Sequence, residues 1–99
     1  MSVEAIAWAL RAAEAGLVPS PTAAHVLIVL AHHADKWGEV RWLPNKRLGM
    51  MAMRSERQVR RALRELEQAG LIKRHEATAL DGARLPNVYE LYTCSKEAE

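Results

Sequence analysis

The sequence predicts a single small domain of the α+β class, mostly helical, with about four helices followed by a C-terminal β-hairpin. Three observations carry that prediction. Apolar residues recur at helical spacing through most of the first two thirds of the chain. A Ser-x-x-Gln box at Ser55–Gln58 opens a basic helix and Gly70 closes it. Beyond Leu71 the pattern becomes strand-like around Asp81-Gly82, a hairpin signal. A chain of 99 residues has room for one core and buries roughly 60–65% of its unfolded surface.

The first helix is expected from about Val3 to Ala15, capped by Ser2 and ended by Gly16. Val3, Ile6, Ala7 and Leu10 share one face and are expected to meet the core. Trp8 lies about 140° from Val3, which leaves packing on another part of the chain or on a second subunit. Ser20 caps the second helix, with Pro21 in its first turn. Ala23, Val26, Leu27, Leu30, Ala31 and Ala34 form its apolar stripe, widened by Ile28 and Val29, so this helix should be central. It is expected to end near Asp35–Trp37, with Gly38 as the turn. Val40–Leu43 reads as a short strand, and Asn45 as the cap of a short helix over Lys46–Ala52. In the fourth helix, about 56–69, Val59, Ala62, Leu63, Leu66 and Ala69 form the stripe, and Leu71-Ile72 returns to the core. The hairpin is expected over 73–92, with strands 73–80 and 85–92 and Pro86 at a strand start or bulge. Residues 1–93 then make one domain and 94–99 a polar, frayed tail.

Composition excludes several classes. Hydrophobic residues at 49% and charged residues at 26% suit a globular domain and not a disordered chain. The longest apolar run, Val26–Ala31, is far below the ~20 residues of a membrane span. No basic and apolar leader opens the chain, and the lone Cys94 has no internal disulfide partner. The expectation is a cytoplasmic protein without membrane contact. The formal charge is only +2, but it is unevenly placed: ten bases against five acids leave +5 in residues 46–84. Such blocks suit nucleic-acid contact, or else a merely solvated helix face.

The element order is helix, helix, short strand, short helix, capped basic helix, hairpin. With Ser2–Ala9, Trp42-Leu-Pro44, Ser55–Ile72 and Asn87–Leu91 in that order, the chain resembles the winged helix-turn-helix domains of phage and plasmid replication and regulatory proteins, of the MarR-like superfamily. The resemblance covers nearly the whole chain and is most specific over Ser55–Ile72. It implies a winged helix-turn-helix fold and a DNA-binding regulator with no catalytic domain. One departure stands out. Family members carry Gly and then an aliphatic residue in the turn before the capping Ser, where this chain has Met53 and Arg54. A left-handed residue there is costly without Gly, so a longer or differently shaped turn is expected.

On a helical wheel with Val59 at 0°, Arg57, Arg61, Arg64 and Gln68 fall between about 140° and 200°, opposite the core stripe. That is the face a recognition helix presents to the major groove, and a guanidinium fork matches guanine O6 and N7. Ser55 and Gln58 stand at the leading end; Gln58 either reads adenine or completes the capping box. Lys46 and Arg47 begin the preceding helix, Arg54 lies in the turn, and Arg60 flanks the arginine face. Lys73, Arg74 and Arg84 bracket the hairpin and suit backbone or minor-groove contact. The expected partner is double-stranded DNA, bound by a homodimer on a two-fold site. A second reading stays open: a protein-interaction module that binds and blocks a host complex, with tryptophan and arginine as anchors. No cofactor, metal set or catalytic constellation is read from the sequence. His25, His32 and His33 lack the spacing of a ligand set, and Met50, Met51 and Met53 read as gap-fillers.

Overall fold

The structure is a computed structural model that describes residues 3–41, 43–78, 80–82 and 84–91. The expectations for Ser2, Trp42, Tyr92, Cys94 and the 94–99 tail lie outside the described residues, as do the side chains at 77, 78 and 84–86. Four helices and three strands follow in the order α1 (Val3–Glu14), α2 (Pro21–His33), β1 (Glu39–Val40), α3 (Asn45–Ala52), α4 (Glu56–Gln68), β2 (Ile72–Thr78) and β3 (Arg84–Leu91). This is a winged helix-turn-helix: α3, a turn and α4, with the β2–β3 hairpin as the wing.

Helix α2 is the centre. All six residues of its expected stripe are fully buried, and it packs against α1, α3 and α4. Ser20 caps it, its Oγ accepting from the Ala23 N–H at 3.1 Å. The helix ends at His33, earlier than expected. The Asp35 carboxylate accepts the N–H groups of Trp37 and Glu39, both at 2.9 Å, and so shapes a turn in place of another helical turn.

Helix α1 reverses one expectation. Its buried residues are Ala5, Trp8, Ala9 and Ala12, whereas Val3 and Leu10 are exposed and Ile6 only partly buried. Three alanines let the helix approach α2 closely, and Trp8 joins the same core cluster instead of a second subunit. The helix has two apolar faces, and burial of the large Trp8 ring favours the one that carries it.

The other corrections are local. Pro44, not Asn45, is the N-cap of α3, and it makes no side-chain cap bond; Asn45 is already helical. The strand expected over 40–43 is Glu39–Val40, although Leu43 is buried as anticipated. In α4 the stripe Val59, Ala62, Leu63 and Leu66 is buried, but Ala69 is an exposed C-cap residue.

The sheet has the order β1-β3-β2, antiparallel throughout. Glu39 and Val40 pair with Glu90 and Tyr89, and Ile72, Lys73 and Arg74 pair with Leu91, Glu90 and Tyr89. The register slips between His75, opposite Val88, and Ala77, opposite Leu85. The extra β3 residue falls in the 86–87 stretch, the bulge expected from Pro86. Tyr89, Leu91 and Ile72 carry the sheet's contribution to the core.

Candidate nucleic-acid interface

The three-residue turn between α3 and α4 sets the angle of α4. In it Met53 adopts φ 58°, ψ 42°, the left-handed conformation. The Arg54 N–H donates to the Gly49 carbonyl at 2.9 Å and the Met53 N–H to Met50 at 3.4 Å. These are the two bonds of a Schellman end, with a methionine in the left-handed position that favours glycine. Gly49 makes it possible. A Cβ there would come within 2.7 Å of the Arg54 carbonyl oxygen, so only glycine lets the end of α3 lie this close to the turn.

Helix α4 then starts on a complete capping box. Ser55 Oγ accepts from the Gln58 N–H at 3.1 Å, and Gln58 Oε1 accepts from the Ser55 N–H at 3.0 Å. Bidentate reading of adenine needs that same oxygen as an acceptor, so Gln58 serves the cap. At the far end the Gly70 and Leu71 N–H groups donate to Glu67 and Leu66, both at 3.1 Å, another Schellman end with Leu71 buried.

Between these ends the helix is buried at Val59, Ala62, Leu63 and Leu66 and exposed at Arg57, Arg60, Arg61, Arg64 and Gln68. None of the four arginines makes an ion pair with a described residue. Lys46, Arg47, Arg54, Ser55, Gln58, Lys73 and Arg74 are exposed as well. Arg84 is described only as the first residue of β3.

Tertiary packing divides the arginines that the wheel placed on one face. Arg60 and Arg64 turn towards the wing, where they line a cleft of about 480 Å³ with Arg74 of β2. Arg61 lies on the other flank, in a shallow groove shared with Ser20 and Thr22 at the start of α2. There Ser20 donates its hydroxyl proton to Glu65 at 3.2 Å. Arg57, the second residue of α4, is exposed at the leading end.

The wing-side cleft contains residues that the sequence did not mark as binding residues. Asn45, from the uncapped start of α3, and Asn87 of β3 supply amide groups. Leu63 and Tyr89 are its most buried members, and Glu67 places one carboxylate among the three arginines. Burial holds the Tyr89 hydroxyl above the ordinary tyrosine pKa. A side-chain hydrogen bond with Asn87 and the Arg74 charge pull it down less strongly, and Glu67 adds slightly to the rise. The i, i+2 spacing of Asn87 and Tyr89 on one strand face is the signal that could have found them.

No metal-binding cluster occurs among the described residues, and no described helix is long and apolar enough to cross a membrane. Neither the curated proteins nor the solved structures contain a match to the chain. A family model described as a helix-turn-helix domain matches residues 20–72, more than half of the chain. The match begins at the cap of α2 and ends at the first residue of β2. It spans the α3–turn–α4 unit with the helix that supports it, and so the chain belongs to the helix-turn-helix domain family, whose fold is that of DNA-binding regulators.

Proposed function

We propose that the protein is a sequence-specific, double-stranded-DNA-binding regulator of transcription or replication. The observation that carries this reading is the outer surface of α4: four exposed arginines without ion-pair partners among the described residues, clear of the buried stripe. The resemblance to phage and plasmid winged helices over Ser55–Ile72 supports it. In this reading α4 enters the major groove leading end first. Arg57 and Arg61 read base edges, each good bidentate pair giving roughly 1–3 kcal/mol of discrimination. Arg60, Arg64 and Arg74 hold the phosphate strand that runs between helix and wing, and Lys46, Arg47, Arg54, Lys73 and Arg84 add backbone contacts. One domain covers a modest stretch of DNA, so two copies act on a two-fold site.

The test is selection of bound DNA from a random pool, followed by polarisation measurements on the enriched site. With about five phosphates neutralised by each copy, log K falls against log salt with a slope of about −4 to −5 per copy and about −9 for two copies bound together. Arg57→Ala/Arg61→Ala costs at least tenfold on the selected site and less on random DNA. Equal, salt-insensitive binding by wild type and variant would refute the reading. The exposed Trp37, Met50 and Met53 favour one alternative, a protein-interaction module. A stoichiometric protein partner in a pull-down, with no DNA enriched, would decide for it.

A further inference from the structure

We infer that the cleft between α4 and the wing is a binding site for a small phosphorylated ligand of nucleotide size, and that its occupancy competes with DNA. The competition rests on the reading above; the binding does not.

The walls argue for a ligand beyond a bare phosphate strand. Arg60, Arg64 and Arg74 converge on one concavity from a helix and a strand, and forked guanidinium donors suit a phosphoryl group. A continuous phosphodiester needs only these guanidinium donors and leaves the carboxylate of Glu67 on the same wall without a partner. Glu67 instead suits a ligand that brings its own N–H or O–H donors. Asn45 and Asn87 each offer a donor and an acceptor, the pattern that matches a base edge or a ribose. Leu63 and Tyr89, nearly buried at 6% and 3% exposure, form the floor of the cleft. The volume of about 480 Å³ falls in the range of small-molecule sites. The paired strands β2 and β3 hold the far wall in place without a ligand. The three arginines that would grip the phosphate are the ones assigned to the DNA backbone, so the two occupants exclude each other.

The experiment titrates the full chain with each of the four ribonucleoside monophosphates and with inorganic phosphate, by calorimetry, and repeats the DNA polarisation assay with nucleotide present. At least one nucleotide is expected to bind more tightly than phosphate and to raise the apparent Kd for DNA. Arg74→Ala weakens nucleotide binding about tenfold. Glu67→Gln weakens nucleotide binding but leaves DNA binding equal or tighter, which a merely electrostatic role in the DNA face would not produce. Both residues are exposed, and circular dichroism checks that the variants fold. No nucleotide binding at millimolar concentration, with DNA binding intact, overturns the proposal and leaves the DNA reading standing. Phosphate binding as tightly as every nucleotide, or nucleotide binding indifferent to both variants, overturns it too. Nucleotide binding by a chain that selects no DNA keeps the site and refutes the regulator.

Discussion

Replacing Met53 by glycine should stabilise the protein. Met53 is the only described non-glycine residue at positive φ, at 58°, and a left-handed L-residue costs about 1–2 kcal/mol. Glycine removes that cost but adds unfolded-state freedom of about 0.4–1 kcal/mol. The side chain is 83% exposed, so its loss sacrifices only a few tenths of a kcal/mol of burial. The Schellman bonds to Gly49 and Met50 are backbone bonds and persist. The net gain is about 0.5–1 kcal/mol, a Tm rise of about 2–8 °C in a domain of this size. Thermal melts followed by circular dichroism, with urea midpoints alongside, measure it. Met53→Ala is the control: it removes the same side chain but keeps the strained φ, and should stay near wild type. A glycine variant no more stable than wild type, or an alanine variant that matches it, would refute the strain argument.

Gly49→Ala should cost about 1–3 kcal/mol, because its Cβ meets the Arg54 carbonyl at 2.7 Å and the turn must shift; chemical denaturation measures the loss. Ser55→Ala removes the acceptor of the α4 capping box and should cost about 1 kcal/mol, with Ser55→Thr retaining most of it in the same assay. Tyr89 has a raised pKa in the folded chain, first because it is buried. Above pH of about 10 the unfolded chain loses this proton first and binds fewer protons than the native one, so stability falls as pH rises. Tyr89→Phe abolishes that part of the slope, and comparing urea midpoints of the two proteins between pH 9 and 11 checks the sign.

Helices α2 and α4 carry their own punctuation in the sequence: Ser20-Pro21 and Ser55-x-x-Gln58 at the starts, Gly70 after α4, and apolar stripes that bury as the period requires. The hairpin is legible from Asp81-Gly82 and its bulge from Pro86, with strand ends off by one or two residues. In α1 the same reasoning selects the wrong face, because Val3–Leu10 and Ala5–Ala12 are both apolar at helical spacing. The α3–α4 turn departs from expectation for another reason. Local preference puts glycine at position 53, but the α3–α4 contact through Gly49 constrains the backbone more strongly than methionine resists it.

A period of 3.6 and a capping box are properties of neighbouring residues, so the chain alone settles that α4 exists and that its arginines lie opposite its apolar stripe. Which arginines share a cleft is another matter. Asn45, Arg60, Arg74 and Asn87 come from four separate elements and meet only because the buried face of α4, the central helix α2 and the sheet close on one core. The i, i+4 spacing sets Arg60 and Arg64 on one flank of α4 and Arg61 on the other; the closure brings the first flank to the wing and the second to the start of α2. Burial of apolar surface between distant segments selects what each flank meets, and no local spacing encodes that.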